Sequence, residues 1–200
     1  MRIFRRKMRR IEADAKRYAQ KFSLLIILRE YREVNYSVMI VELIGKEADL
    51  TFECMHIVPG RGDCSRIHPH FHYVDVLVDG EFDDKRRIVH LYNLKAVIKR
   101  ICSLFEDKIL LADYPESVQR VKEEDSHFRI EINGKIYIIP KADIFKIKSP
   151  SLNIEDLTVY FANELALDLK NKEMFNPLNY FEVTLSEGHG QRGKIRMGLK

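Results

Sequence analysis

The stretch His68-Pro69-His70-Phe71-His72-Tyr73-Val74-Asp75-Val76-Leu77-Val78 decides the fold. It alternates strictly: His68, His70, His72, Val74, Val76 and Val78 fall on one side, with Phe71, Tyr73, Asp75 and Leu77 on the other. Successive side chains of an extended backbone point to opposite faces, so a period of two predicts a β-strand carrying several imidazoles on one face.

Upstream, residues 37–58 are rich in β-formers and interrupted at Gly45-Lys46, which predicts a strand, a kink or turn, and a second strand ending in Phe52-Glu53-Cys54-Met55-His56. Pro59-Gly60-Arg61-Gly62-Asp63 then breaks the chain into a loop. Downstream, Leu94, Val97, Ile98, Ile101, Leu104 and Phe105 recur at helical spacing and predict a helix of about four turns with one buried stripe. Residues 113–127 are polar and read as a loop. Phe128–Ile132 and Lys135–Ile138 flank Asn133-Gly134, the dipeptide suited to a type I′ hairpin turn. Ser151 or Asn153 can cap a second helix through Leu157, Phe161 and Leu165, and residues 180–185 read as a final strand. This order lacks regular βαβ alternation and predicts an α+β fold: a mainly antiparallel sheet with helices covering one face.

Two hundred residues suit one domain, or one domain with an extension. Hydrophobic residues make up 46%, enough for a core. The longest apolar run, Leu24–Leu28 with Phe22 nearby, is far short of the roughly 18 residues that cross a bilayer, and no small-residue cleavage site follows it, so neither a membrane span nor a signal peptide is expected. Cys54, Cys64 and Cys102 are odd in number without framework spacing, which favours a reducing cytoplasm. The net charge of +4 is uneven, because residues 1–22 carry nine Lys/Arg and two Asp/Glu, leaving −3 for the remainder. Residues 9–30 lack Gly and Pro and read by default as a helix, although Leu24–Leu28 suit a strand equally; a solvated basic helix face is preferred over a nucleic-acid or membrane surface.

His68 and His70 project from one strand face about 7 Å apart, so both can reach one ion. His56 supplies a third ligand if its strand pairs with theirs, which the eleven-residue loop between His56 and His68 permits. Three neutral imidazoles leave a divalent ion its full charge and an open fourth position, the pattern of a catalytic zinc site, although iron, nickel or copper also accept imidazole. His72 shares the face, where packing or hydrogen bonding beside the site is preferred over a spare ligand. Cys64, four residues before His68, can serve as base or nucleophile, whereas Cys54 and Cys102 fall in regular elements and read as core.

Taken together, Phe52-Glu-Cys-Met-His56, Cys64-Ser-Arg-Ile-His68-Pro-His70 and, twelve residues past His68, Gly80-Glu81 resemble the family of 6-pyruvoyl- and 6-carboxy-tetrahydropterin synthases, whose members carry F-x-x-x-H, C-x-x-x-H-G-H and a strand ending in Gly-Glu. Ile88-Val-His-Leu91 before Leu94-Lys95 is similar to the family's strand-to-helix passage, Asn153-Ile-Glu155-Asp-Leu157 to its T-x-E-x-L helix start, and Val183-Thr-Leu-Ser-Glu187 to its closing V-x-V-x-E. The resemblance covers roughly residues 37–190; it defines a synthase-like domain over 37–200 and leaves 1–36 as a basic extension.

The resemblance implies a tunnelling fold, in which antiparallel sheets of several subunits, each with two helices on one face, close into a barrel with active sites at subunit interfaces, usually as a hexamer. It implies Zn²⁺ on His56, His68 and His70, the substrate 7,8-dihydroneopterin triphosphate, and a 6-pyruvoyl or 6-carboxy product, the latter on the route to deazapurine-modified nucleosides. Glu187 would grip the pterin ring, with Glu155 and Asn153 lining its pocket, and Cys64 would move the proton. Three positions depart from the pattern: the family's Asp-His partner of the cysteine reads Asp107-Lys108, Pro69 replaces a glycine, and Leu152-Asn153 replaces Thr-Thr. Proline confined to edge positions predicts a local sheet edge at Pro69. The alternatives are a non-catalytic metal- and pterin-binding module of the same fold and a cupin-type metalloprotein; the cupin requires Asp75 as a ligand, which strand alternation turns away from the imidazoles.

Overall fold

The computed structural model describes residues 16–17, 39–60, 62–175 and 178–199. The chain divides into two units, Met1–Val38 and Met39–Lys200. Apart from Lys16 and Arg17, both helical, the helix expected over 9–30 lies outside the described residues.

The second unit is built around the alternating strand. β3 (His68–Gly80) pairs antiparallel with β2 (Thr51–His56) over its first half and with β1 (Ile40–Leu43) over its second. β1 and β2 therefore lie end to end along one side of β3, joined by the one-turn helix α1 (Gly45–Ala48) where the sequence suggested a kink or turn. Gly45 is required there: a Cβ would meet the Val74 backbone at 2.6 Å, and its N–H donates to Asp75 Oδ1 at 2.7 Å. On the other side of β3 runs β9 (Leu178–Glu187), antiparallel from Gly80 back to His72. It ends there, so among the described strands β2 alone flanks Pro69, the local edge that proline tolerates.

The expected helices cover one face. In α2 (Leu91–Phe105) the predicted Leu94, Val97, Ile98, Ile101 and Phe105 are buried, joined by Cys102, while Leu104 is half-buried against the same core; in α3 (Ile154–Asn171) the predicted Leu157, Phe161 and Leu165 are buried, joined by Leu169. Both stripes pack with Phe52, Cys54, Val74, Val76, Val78, Val183 and Leu185 in one core. Ile88 is buried, but the passage before α2 is a loop rather than a strand. None of the described helices is long and apolar enough to cross a membrane.

Four strands were not foreseen. β4 (Lys108–Ala112) and β8 (Ile144–Ile147) extend the sheet beyond β2 by parallel pairing. Short apolar runs such as Ile109-Leu110-Leu111 have no periodicity of their own, and the distant partner decides. The expected loop over 113–127 is corrected by β5 (Gln119–Glu123), which joins the hairpin β6 (His127–Ile132) and β7 (Lys135–Pro140) in a separate three-stranded sheet. As an edge strand with Val121 40% exposed, β5 buries too little to leave an apolar pattern. Asn133 and Gly134 have φ of 52° and 71°, as a type I′ turn demands. Residues 180–185 do not end the fold: β9 turns through Gly188 and Gly190, both at positive φ, into β10 (Gln191–Gly198).

Candidate metal centre

The register of β2 on β3 sets His56 opposite His68, Cys54 opposite His70 and Phe52 opposite His72, while β9 sets Glu187 beside His72 from the other side. Paired residues share a sheet face, so one end of the sheet gathers four imidazoles and a carboxylate. The ligating atoms of His56, His68 and His70 lie within 4.8 Å of one another, and the Nε2 atoms of His56 and His68 are 3.1 Å apart. Nitrogens bound tetrahedrally to one zinc at 2.0–2.1 Å stand about 3.3 Å apart, close to the His56–His68 separation, so the cluster could hold a single ion.

Tautomer and charge favour coordination. His68 Nδ1 donates to the Arg66 carbonyl at 2.8 Å, which leaves the Nε2 lone pair facing the cluster. His56 is 2% exposed. Burial first, then the neighbouring imidazoles, bring the His56 pKa down to about 3. Burial and then His68 lower that of His70 as well. Both rings are neutral at pH 7, the form that binds metal.

Glu187 Oε1 is 3.2 Å from His70 Nε2 and 3.5 Å from His56 Nε2. Its carboxyl pKa is raised, chiefly by burial; His68 opposes the shift and Glu155 adds to it. Glu155 sits exposed in the first turn of α3. Asn153 occupies the N-cap position, but neither it nor Ser151 makes the capping bond anticipated from sequence. Ser151 Oγ instead donates to Asp156 Oδ2 at 2.5 Å and accepts from Asn153 N–H at 3.2 Å, and the buried Asn153 Oδ1 has no partner among the described residues.

His72 is fully buried, stacked on Phe52 with ring centroids 4.5 Å apart. The Cys54 thiol, whose pKa burial pushes up to about 12, lies 3.8 Å from His72 Nδ1. His72 is thus the core-side neighbour of the cluster. Cys64 is half-buried in a 3-10 turn (Gly62–Ser65) beside the two ligand strands. Asp107, at φ 57°, donates its N–H to the Glu53 carbonyl at the junction of α2 and β4. Lys108 pairs with Cys54 in register, two strands from His70, and its ammonium donates to the Ala142 carbonyl at 2.6 Å. Sequence reasoning missed Tyr114, whose hydroxyl donates to the Ile57 carbonyl at 3.4 Å and accepts from Leu152 N–H at 3.1 Å, tying the end of β2 to the approach to α3. A tyrosine in a polar stretch carries no signal for this.

Residues 46–196 match the model of the 6-pyruvoyl tetrahydropterin synthase family. The chain belongs to that family. A relative from Methanocaldococcus jannaschii, which bears the provisional name 6-carboxy-5,6,7,8-tetrahydropterin synthase, is 38% identical over 164 residues, covering 81% of this chain and 99% of the relative. One from Pyrococcus horikoshii with the same provisional name is 28% identical over 130 residues, covering 62% of this chain and 77% of the relative. The crystal structure of 6-pyruvoyl tetrahydropterin synthase from Plasmodium vivax superposes with a TM-score of 0.71 at 23% identity, covering 80% of this chain and 99% of that one. The α+β architecture read from the sequence is therefore the fold of the 6-pyruvoyl tetrahydropterin synthase family.

Proposed function

We propose that the protein is a zinc-dependent lyase that converts 7,8-dihydroneopterin triphosphate into 6-carboxy-tetrahydropterin. The observation that carries this reading is the convergence of His56, His68 and His70 beside the Glu187 carboxylate. The carboxy product, rather than the pyruvoyl one, is favoured by the names of the relatives at 38% and 28% identity.

His56, His68 and His70 would hold Zn²⁺, which when bound acts as a Lewis acid toward the oxygens of the substrate side chain. Proton removal from the adjacent carbon falls to Cys64, on the loop that joins two of the ligands. Glu187 accepts hydrogen bonds from the amino group and ring N–H of the pterin, a pair of donors that one carboxylate matches. Asn153 Oδ1, buried and unpartnered, is a further acceptor for the ring, and Glu155 borders it. Asp107 and Lys108 stand where the family pattern has the partner of the cysteine. An assembly of several chains, a hexamer in the family pattern, would complete sites at subunit borders, and a cytoplasmic setting fits three free cysteines.

The test is direct: zinc-loaded protein is incubated with dihydroneopterin triphosphate and the products are separated by mass. 6-Carboxy-tetrahydropterin, formed with zinc and absent after chelation, is the expected result; no product from a fully loaded protein overturns the reading. In that event a ring-binding module without catalysis is the second reading, favoured by the Lys108 ammonium, which is engaged by Ala142.

A further inference from the structure

Between His56 and His68 the chain leaves the sheet for the loop that carries Cys64, and the small three-stranded sheet holds this loop from both ends. Ile57 before it is buried, and Ile67 after it packs in the same apolar cluster as Phe128, Ile130, Ile132 and Ile139. Inside the loop, Val58 N–H donates to the Cys64 carbonyl at 2.9 Å. A cleft of about 760 Å³ opens between Pro59 and Gly60 of the loop on one side and the hairpin residues Ile132–Ile136 on the other. Near this cleft Asn133 Nδ2 of the hairpin donates to the Ser65 carbonyl of the loop at 3.0 Å.

Asn133 is well placed to act as a strut. It sits at the hairpin tip at φ 52°, and the β6–β7 register from His127↔Pro140 to Ile132↔Lys135 fixes the tip relative to the small core. Its amide grips the residue directly after Cys64.

We infer that Asn133 is a positioning residue: its amide holds the Cys64 loop in the orientation that aims the thiol at the substrate. The inference rests on the role proposed above for Cys64. An exposed hydrogen bond adds little to overall stability, but a reacting group displaced by an ångström loses much of its rate.

The experiment uses the full chain with Asn133→Asp, which keeps a residue tolerant of the left-handed turn and an Asp-Gly hairpin signal while removing the donor. Asn133→Gly serves as the second variant. Cys54 and Cys102 are buried, with thiol pKa values pushed up to about 12, so iodoacetamide labelling located by peptide mass reads Cys64. Both variants are expected to label at Cys64 at least threefold faster, to bind the same zinc per chain, and to lose about tenfold in kcat with KM within twofold. An unchanged labelling rate in both overturns the inference whatever the turnover, and so does loss of zinc from both, which would mark a structural role. Faster labelling in a protein whose wild type makes no product supports the strut and overturns the catalytic reading of Cys64 instead.

Discussion

His56 and His72 are neutral because the sheet and helices exclude water from them, and that neutrality has a pH consequence. In the folded chain they titrate near 3 and 4, against an ordinary value of 6.5. Between those values the unfolded chain binds more protons than the folded one, so stability is intact above pH 6.5 and falls as the pH drops toward 4. Each histidine costs roughly 2 kcal/mol by pH 5 on this reckoning, so the urea midpoint of the metal-free protein should fall markedly between pH 7.5 and pH 5, and more steeply than that of a His72→Phe variant, which has no ring to protonate. Cys64 differs in kind, being half-buried and outside the core. Cys64→Ala should leave zinc stoichiometry and melting temperature unchanged while lowering turnover by about 100-fold or more, the usual contribution of a positioned proton carrier. Full activity in that variant would remove Cys64 from the reaction while sparing the metal assignment.

Among the elements, α1 shows how one residue permits a register. Because Gly45 has no side chain, the chain can turn against the Val74 backbone and resume as β2 along the same strand, which brings His56 opposite His68. Gly45→Ala forces a methyl into that backbone, an overpacking that costs about 1–3 kcal/mol, so its melting temperature should drop by roughly 3–10 °C, with zinc binding weakened alongside. The strand His68–Val78, the hairpin at Asn133-Gly134 and the two helical stripes were legible because each carries its own period or turn dipeptide. β5 was not, since Gln119-Arg120-Val121-Lys122-Glu123 takes its form from pairing with β6 rather than from a buried face. β10 is a different case: Ile195 and Met197 do alternate with Lys194 and Arg196, yet Gly188 and Gly190 interrupt the pattern before the strand, and its form comes from pairing with β9.

For the folded chain as a whole, an ion bound by residues from two strands is stabilising, because the unfolded chain holds His56 apart from His68 and His70. Zinc at 100 times its dissociation constant should add about 2.7 kcal/mol, raising the melting temperature by roughly 5–10 °C, and His68→Ala should abolish that increment; a calorimetric scan with and without metal checks both. Local pattern was enough to specify the histidine-bearing strand, the hairpin, both helices and the candidate pair His68 and His70, because those depend on periodicity and spacing within a few residues; that His56 meets them took the register of β2 on β3. Three-dimensional packing was needed to establish that β4 and β8 join in parallel, that Glu187 stands 3.2 Å from His70, that Lys108 is engaged by Ala142, and that Asn133 reaches across to Ser65. Each of these joins residues distant along the chain, and such a meeting is set by sheet register and core packing rather than by any local pattern.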